Sequence, residues 1–147
     1  MDSDIAIYTD MLLSLQLGNY RGVVSLSKPL YLISIIDSIK NKLEKNVISL
    51  ENIAVEQRFK ELYKKYQCGF AYSKSTFIAP FFHLASSEFY HLIWKKEVVP
   101  PSMSATPSAK YLCEHLQYAK LDDELWELLQ DAENRDYFRR KIINRYL

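Results

Sequence analysis

The chain has 147 residues, of which 48% are hydrophobic and 14% aromatic. This composition is typical of one folded globular domain and excludes a disordered tail. Lys and Arg total 19 against 18 acidic residues, so the net charge is only +1. Any binding to nucleic acid must therefore depend on a local basic patch rather than on the charge of the whole chain.

Three features of the sequence bear on the cellular compartment. The two cysteines, Cys68 and Cys113, indicate a reducing environment rather than a disulfide framework. The opening Met-Asp-Ser-Asp is acidic where a signal peptide would be basic. The longest nearly apolar run, residues 30–36, is far too short to span a membrane. We therefore expect a cytoplasmic protein that has no membrane segment.

The first half of the chain predicts three helices. Residues 3–17 carry apolar side chains at helical spacing, and Gly18 ends this helix. After a connector, residues 19–26, a second helix begins at Ser27 as its N-cap, with Pro29 tolerated in the first turn. Apolar residues surround most of this second helix, which predicts that it lies at the centre of the core.

A short strand and a third helix follow. The pair at 47–48 predicts the strand, and Ser49 is the expected N-cap of a helix that runs to Tyr66. Residues 67–77 are then expected to form a loop.

The most distinctive stretch of the sequence is residues 78–94, which predicts an aromatic β-hairpin. Two runs rich in Phe, Tyr and Ile flank a polar turn at 85–88, and a four-residue turn is an ordinary hairpin length. The predicted cross-strand pairs are Leu84 with Phe89 and His83 with Tyr90. Both faces of such a hairpin are largely apolar, so each must be covered by helices or by a ligand.

The last third of the chain predicts one long loop and three helices. Residues 95–108 contain three prolines and are too long for a simple connector, which indicates a mobile or functional loop. Ser108 is the expected N-cap of a helix that runs to Ala119, and Asp122 and Asp131 are the expected N-caps of the last two helices. The predicted fold is α+β and mostly helical, with a winged-helix-like core, the aromatic hairpin and a helical C-terminal extension.

The sequence shows no pattern for catalysis or for metal binding. His83 and His91 would point to opposite faces of the hairpin, and His115 is distant from both. No Gly-x-Ser-x-Gly elbow is present, and the acidic residues near the helix starts are explained as caps. We therefore expect no metal site, no cofactor and no enzymatic activity.

Two groups of basic residues are candidates for a local patch. The first crowds the last helix, where cations near a helix C-terminus on a solvated face are the simpler explanation. It comprises Arg135, Arg139, Arg140, Lys141 and Arg145. The second group flanks the start of the second helix and the ends of the hairpin, where aromatic side chains and lysines together suit a phosphate backbone. The candidate DNA-binding residues are Lys28, Lys74, Lys95 and Lys96, with Pro80 and Phe81.

Four separated segments carry a resemblance to a known family. Residues 27–37 (Ser-Lys-Pro-Leu-Tyr-Leu-Ile-Ser-Ile-Ile-Asp), 79–84, 89–92 and 118–129 occur in the order found in the N-terminal recognition domain of bacterial HNH restriction endonucleases. That family is akin to the sulfur-binding domains, which recognise phosphorothioate-modified DNA. The resemblance covers about residues 25–147.

The resemblance implies a DNA-recognition module. In sulfur-binding domains a shallow apolar pocket accepts the phosphorothioate sulfur beside basic residues that hold the backbone. Pro80 matches the proline of that pocket, and Lys28 matches the basic residue directly before the proline of the second helix. Ala79 stands where those domains carry a tyrosine, and Ser27 stands where they often carry a histidine. The remaining pocket loop would fall within residues 95–108.

Two hypotheses follow for the single domain, residues 1–147. The first is a DNA-binding recognition module of a restriction or defence system, with phosphorothioate DNA as the candidate modified ligand. An HNH site needs a His pair that nothing after Trp94 supplies, so cleavage would belong to a separate nuclease chain. The alternative is a protein-interaction module that docks a nuclease or another partner without contacting DNA, which the near-neutral charge favours.

Overall fold

The computed structural model describes residues 3–147, so the acidic opening at Met1 and Asp2 lies outside it. The helices are α1 (Ser3–Leu12), α2 (Ser27–Ser38), α3 (Ile53–Tyr66), α4 (Lys74–His83), α5 (Ala109–His115), α6 (Asp123–Leu128) and α7 (Ala132–Tyr146). The strands are β1 (Asn19–Tyr20), β2 (Val23–Val24), β3 (Tyr90–Trp94) and β4 (Leu116–Leu121). They form two antiparallel pairs, β1 with β2 and β3 with β4. The predicted α+β, mostly helical class is confirmed, whereas the winged-helix comparison is not.

Helix α2 lies at the centre of the core, as predicted. Nine of its twelve residues are buried, and the helix packs against α3, α4 and α7. Its two buried serines satisfy their hydroxyls within the helix: Ser34 Oγ donates to Leu30 O and Ser38 Oγ donates to Ser34 O, each at 2.7 Å. The polar groups of this apolar helix are therefore paired without water.

The predicted aromatic hairpin is wrong. Residues 74–83 form helix α4, a 3₁₀ turn follows at Leu84–Ser86, and only Tyr90–Trp94 forms a strand. Ser73 is the N-cap residue of α4, and its backbone N–H donates to Thr76 Oγ1 at 3.0 Å. The helix tolerates an internal Pro80 because Phe77, Ile78, Phe81 and Phe82 recur at helical spacing and are all buried.

Strand β3 finds its partner about thirty residues further along the chain. It pairs with β4 in an antiparallel register, from Tyr90 opposite Leu121 to Trp94 opposite Leu116. Ser108 does cap α5, since its Oγ accepts from Tyr111 N at 3.1 Å, but that helix ends at His115 rather than at Ala119. Residues 116–121 instead form strand β4, in which burial alternates from Tyr118 to Leu121.

Several predicted boundaries also shift. The predicted strand at 47–48 is a single bridge between Ile48 and Ala119. Helix α3 is capped by Asn52, whose Oδ1 accepts from Val55 N at 3.0 Å, and not by Ser49. In α2 the N-cap position belongs to Leu26, so Ser27 is already helical.

Two aspartates predicted as helix caps behave differently. Asp131 caps α7 as predicted, because its Oδ1 accepts from Glu133 N at 2.8 Å. Asp122 holds the N-cap position of α6, but its carboxylate instead accepts from the Tyr8 hydroxyl at 2.9 Å and pairs with His91. That carboxylate therefore fastens α1 to the β3–β4 sheet.

A chain of buried hydroxyls joins α2, β3 and α4. Tyr90 donates its proton to Phe81 O at 2.6 Å, and the Tyr31 hydroxyl lies 2.9 Å from that of Tyr90. Because the proton of Tyr90 is already committed to Phe81 O, Tyr31 is the donor in the second bond. Both tyrosines are at most 1% exposed. Burial raises the pKa of each hydroxyl, so both stay protonated as donors.

This order of donation predicts unequal effects of removing the two hydroxyls. Tyr90→Phe leaves the Tyr31 donor without an acceptor and takes a donor from Phe81 O, so it should destabilise the fold by about 1–3 kcal/mol. Tyr31→Phe leaves the bond to Phe81 O in place and should cost only about 1 kcal/mol. Urea unfolding of the two variants measures the difference. Equal losses of stability would contradict the assigned order of donation.

Candidate nucleic-acid interface

Lys28 and Pro80 line the same concave site. Lys28 lies in the first turn of α2, and Pro80 lies in α4, which packs across α2. Both face a cavity of about 490 Å³. Its other lining residues are Gln16, Leu17, Gly18, Ser25, Ser27, Ala79, His83, Ser86 and Met103. The structure thus brings together the two residues that the sequence resemblance singled out.

The ammonium group of Lys28 is held in place but has no anionic partner. Its Nζ donates to Gln16 O at 2.9 Å and to Ser86 Oγ at 3.3 Å. No carboxylate within residues 3–147 forms an ion pair with it. Burial lowers the pKa of Lys28 from its ordinary value. An ammonium has three N–H donors, so one remains available to an anion in the cavity.

The wall of the cavity beside Lys28 is apolar. Pro80 is buried in the helix, Ala79 lies next to it, and Met103 approaches from the long loop with 40% of its surface exposed. A cation beside an apolar wall suits an anion that also presents a weakly hydrated atom.

The long loop of residues 95–108 closes one side of the cavity. Thr106 Oγ1 lies 2.7 Å from His83 Nε2, and this hydrogen bond fastens the loop to the end of α4. His83 is half-buried, and burial followed by the charge of Lys28 lowers its pKa from the ordinary value. The resemblance places the remaining pocket loop within residues 95–108, which contain Met103 and Thr106. It does not identify His83, Met103 or Thr106 individually, because only the folded chain shows which residues of the loop meet α4.

The other predicted DNA-binding residues do not line this cavity. Phe81 is fully buried, where its ring packs against Tyr31 and Phe77, so it supports Pro80 from behind and has no surface for a ligand. Lys74, at the start of α4, forms an ion pair with Glu56 at 2.5 Å. Lys95 lines a separate cavity that also contains Glu51. Lys96 is exposed in the turn after β3.

The basic residues of α7 are occupied within the fold. Arg139 pairs with Asp37 at 2.7 Å, and Arg135 donates to Leu129 O at 2.8 Å. Arg140 pairs with Asp136, and the charge of Arg145 lies over the Tyr146 ring. Lys141 Nζ also lies over the Tyr137 ring, so all five cations have partners within the described fold. Their explanation by the helix dipole and a solvated face stays a prediction.

The acidic residues are excluded from the segments that build the cavity. None of the 18 occurs in residues 11–36, 62–87 or 98–113. Every residue that lines the cavity belongs to one of these three segments. The cations in them are Arg21, Lys28, Lys64, Lys65, Lys74 and Lys110. The lining of the cavity therefore contains the cation of Lys28 and no acidic residue, although the net charge of the chain is close to zero.

An acidic notch adjoins the cavity on one side. Asp10 and Glu88 line a neighbouring cavity of about 390 Å³, which shares Gln16 and Ser86 with the Lys28 cavity. An anionic polymer bound at Lys28 would be repelled there and attracted toward the acid-free segments.

Comparison with known proteins supports the resemblance at the level of the fold. The sequence matches no protein-family model and no curated protein. The solved structures that are similar to it include two of ScoMcrA. The sulfur-binding domain of ScoMcrA complexed with phosphorothioated DNA has a TM-score of 0.72 and 15% identity, over 95% of this chain and 86% of that one. This chain therefore has the fold seen in the sulfur-binding domain of ScoMcrA.

The second similar structure contains the sulfur-binding domain and the SRA domain of ScoMcrA, complexed with phosphorothioated DNA. It gives a TM-score of 0.74 and 16% identity, over 95% of this chain and 42% of that one. At such identities the likeness establishes the fold alone. The function must therefore be argued from the residues in the cavity.

The electrostatic contact between Lys28 and His83 predicts a measurable shift in titration. Lys28→Gln removes the nearby positive charge, so the pKa of His83 should rise toward its ordinary value but stay below it, because burial remains. NMR titration of the His83 ring measures this. Lys45→Gln, beyond the opposite end of α2, is the matched control and should leave the titration unchanged. An unchanged His83 pKa in the Lys28 variant would contradict the proximity of the two side chains.

Proposed function

We propose that this chain binds DNA through the cavity between α2 and α4, with the phosphorothioate linkage as its modified ligand. The observation that carries the proposal is the convergence of Lys28, which has no carboxylate partner, and Pro80 in one concave, acid-free site. The solved structures of similar fold contain phosphorothioated DNA, which supports the same ligand class here.

The chemistry of the cavity suits a phosphorothioate. The Lys28 ammonium would pair with the negative charge that the modified phosphate retains, and a charge-assisted hydrogen bond is stronger than a neutral one. Sulfur is larger, more polarisable and less strongly hydrated than oxygen, so it is desolvated at lower cost against the apolar wall of Ala79 and Pro80. An ordinary phosphate would have to bury a well-hydrated oxygen in the same place.

The remaining predicted lysines extend the proposed contact along the backbone. Lys74 lies six residues before Pro80 on α4, which corresponds to about 9 Å along the helix axis. Lys95 and Lys96 are exposed beyond β3. We propose these three as contacts to flanking phosphates, where they would add affinity without reading sequence.

We also propose that the chain is the recognition part of a cytoplasmic restriction or defence system and that a separate nuclease chain cleaves. The similar structures are of a DNA-binding domain, and in one of them this fold is joined to a second domain. No group of three or more potential metal ligands lies together in the part of the chain that the structure describes. No helix among residues 3–147 is long and apolar enough to cross a bilayer.

The first test compares duplexes with and without one phosphorothioate. The wild-type protein should bind the modified duplex more tightly. Lys28→Gln should weaken binding roughly 10- to 100-fold, which corresponds to the free energy that a hydrogen bond to a charged group contributes. Pro80→Ala restores a normal helical N–H and should keep the fold, while it lowers the preference for sulfur by roughly tenfold through lost apolar contact.

The control for this test is Lys45→Gln, which removes the same charge beyond the far end of α2. Binding is measured over a range of salt concentrations, since phosphate contacts weaken as salt rises. If the wild-type protein binds neither duplex at low salt, the proposal is wrong. Tight binding without any preference for sulfur would leave a general DNA-binding module and would rule out phosphorothioate recognition.

A second prediction concerns pH. An anion bound beside His83 favours the imidazolium, so the pKa of His83 is higher in the complex than in the free protein, where burial and Lys28 lower it. The complex then binds more protons than the free protein. The affinity for DNA should therefore rise as pH falls through the pKa of His83 in the complex, and it should level off below the pKa of His83 in the free protein. Affinity measured between about pH 8 and pH 5 should show this slope. His83→Gln should remove the slope, whereas His115→Gln should keep it.

A further inference from the structure

A short β-hairpin stands directly beside the cavity. Asn19 pairs with Val24 and Tyr20 with Val23, and the turn residues Arg21 and Gly22 have φ of 52° and 84°. Positive φ at both turn positions is the geometry of a type I′ turn, whose twist matches that of the flanking strands. Asn19 Oδ1 also accepts from Gly22 N at 2.9 Å. Arg21 is therefore presented at the tip of a defined ribbon.

The hairpin is anchored at its base although its faces are open to solvent. Gln67 of the α3 end accepts from Leu26 N at 2.8 Å through Oε1 and donates to Val24 O at 3.5 Å through Nε2. Tyr20 is nevertheless 60% exposed, and Val23 and Val24 are 43% and 46% exposed. The ribbon is thus held in position while its apolar side chains remain uncovered.

The charges near the hairpin and its position beside the cavity favour nucleic acid as the partner that covers this surface. Ser25 lines both the Lys28 cavity and a groove of about 140 Å³ under the hairpin, so the two surfaces are continuous. The hairpin lies in an acid-free segment, and Lys64 and Lys65 lie at the end of α3 close to its anchor. The Arg21 guanidinium lies over the Tyr20 ring, 5.3 Å from its centroid. The acidic notch of Asp10 and Glu88 shares Gln16 and Ser86 with the cavity, and neither of these two residues lines the groove under the hairpin.

We propose that this hairpin enters a groove of the DNA next to the bound phosphate, where Arg21 reads a base edge and Tyr20 packs against the neighbouring sugar and base. The inference rests on the proposed function, because the phosphate held by Lys28 sets the position of the duplex. A two-stranded ribbon fits the major groove, and Arg is the residue most often used to read guanine there. The hairpin would supply the preference for the base pairs that flank the modified linkage.

The test uses a substitution that preserves the turn. Arg21→Asn creates an Asn-Gly turn, which strongly favours type I′ geometry, and removes the guanidinium with most of the aliphatic stem that carries it. Binding is measured on a panel of phosphorothioate duplexes that differ in the base pairs flanking the modification. The wild-type protein should rank these duplexes, and the variant should lose about tenfold in affinity for the best one and bind all of them nearly equally. Lys45→Asn is the matched charge control and should preserve both affinity and ranking.

The outcomes separate this inference from the proposed function. If Lys28→Gln weakens binding while Arg21→Asn keeps the affinity and ranking of the wild type, the hairpin does not read DNA and the cavity remains the binding site. A loss in Arg21→Asn that is uniform over all flanking sequences overturns base reading. If Arg21→Asn weakens binding but Lys28→Gln does not, the cavity is the wrong site for the phosphate. A wild-type protein that binds no duplex overturns both proposals.

Discussion

The packing of α4 across α2 is the contact on which the candidate site depends. The Tyr31 ring meets those of Phe77, Phe81 and Tyr90 edge to face, with centroids 5.7–6.2 Å apart. The hydrogen bonds from Tyr31 to Tyr90 and from Tyr90 to Phe81 O fix how the elements are oriented in this apolar contact, because a buried hydroxyl without a hydrogen-bond partner is costly. Lys28 precedes Tyr31 by one helical turn, and Pro80 precedes Phe81 directly. The aromatic cluster therefore sets the distance between the cation and the apolar wall, although none of its rings reaches the cavity surface.

The same arrangement explains why Lys28 is suited to bind an anion. A lysine that is partly withdrawn from water and held by a carbonyl and a hydroxyl keeps its charge at some cost, which is what the lowered pKa of Lys28 reports. Elsewhere in the described chain, cations such as Arg58 and Arg139 share the carboxylate of Asp37 and are compensated within the fold. Lys28 lacks that compensation. A bound phosphate would supply it, and His83 beside it would respond to the same charge.

The sequence predicts some of these features and not others, for identifiable physical reasons. The central α2 follows from apolar residues around most of its circumference. Asp131 and Ser108 are found as caps because their hydrogen bonds are local. The run from Phe77 to Leu84 is apolar at both helical and strand spacing, so periodicity alone cannot assign it. The hydrogen bond from Ser73 N to Thr76 Oγ1 caps the start of this segment and favours the helix over the strand. Strand β3 pairs with a distant segment, and Thr106 meets His83 only through that tertiary arrangement. The grouping of lysines and aromatics already names Lys28 and Pro80 among six candidates, and the family resemblance singles these two out as parts of one pocket.

A net charge of +1 does not weigh against nucleic-acid binding in this chain, because the charges are segregated. The segments around the cavity carry six cations and no acids, so the rest of the chain carries the remaining 13 cations and all 18 acids. At physiological ionic strength the Debye length is about 8 Å, so a bound phosphate is influenced mainly by the charges near Lys28. A protein built this way would gain little from general electrostatic attraction and would depend on the cavity and its neighbouring hairpin for affinity.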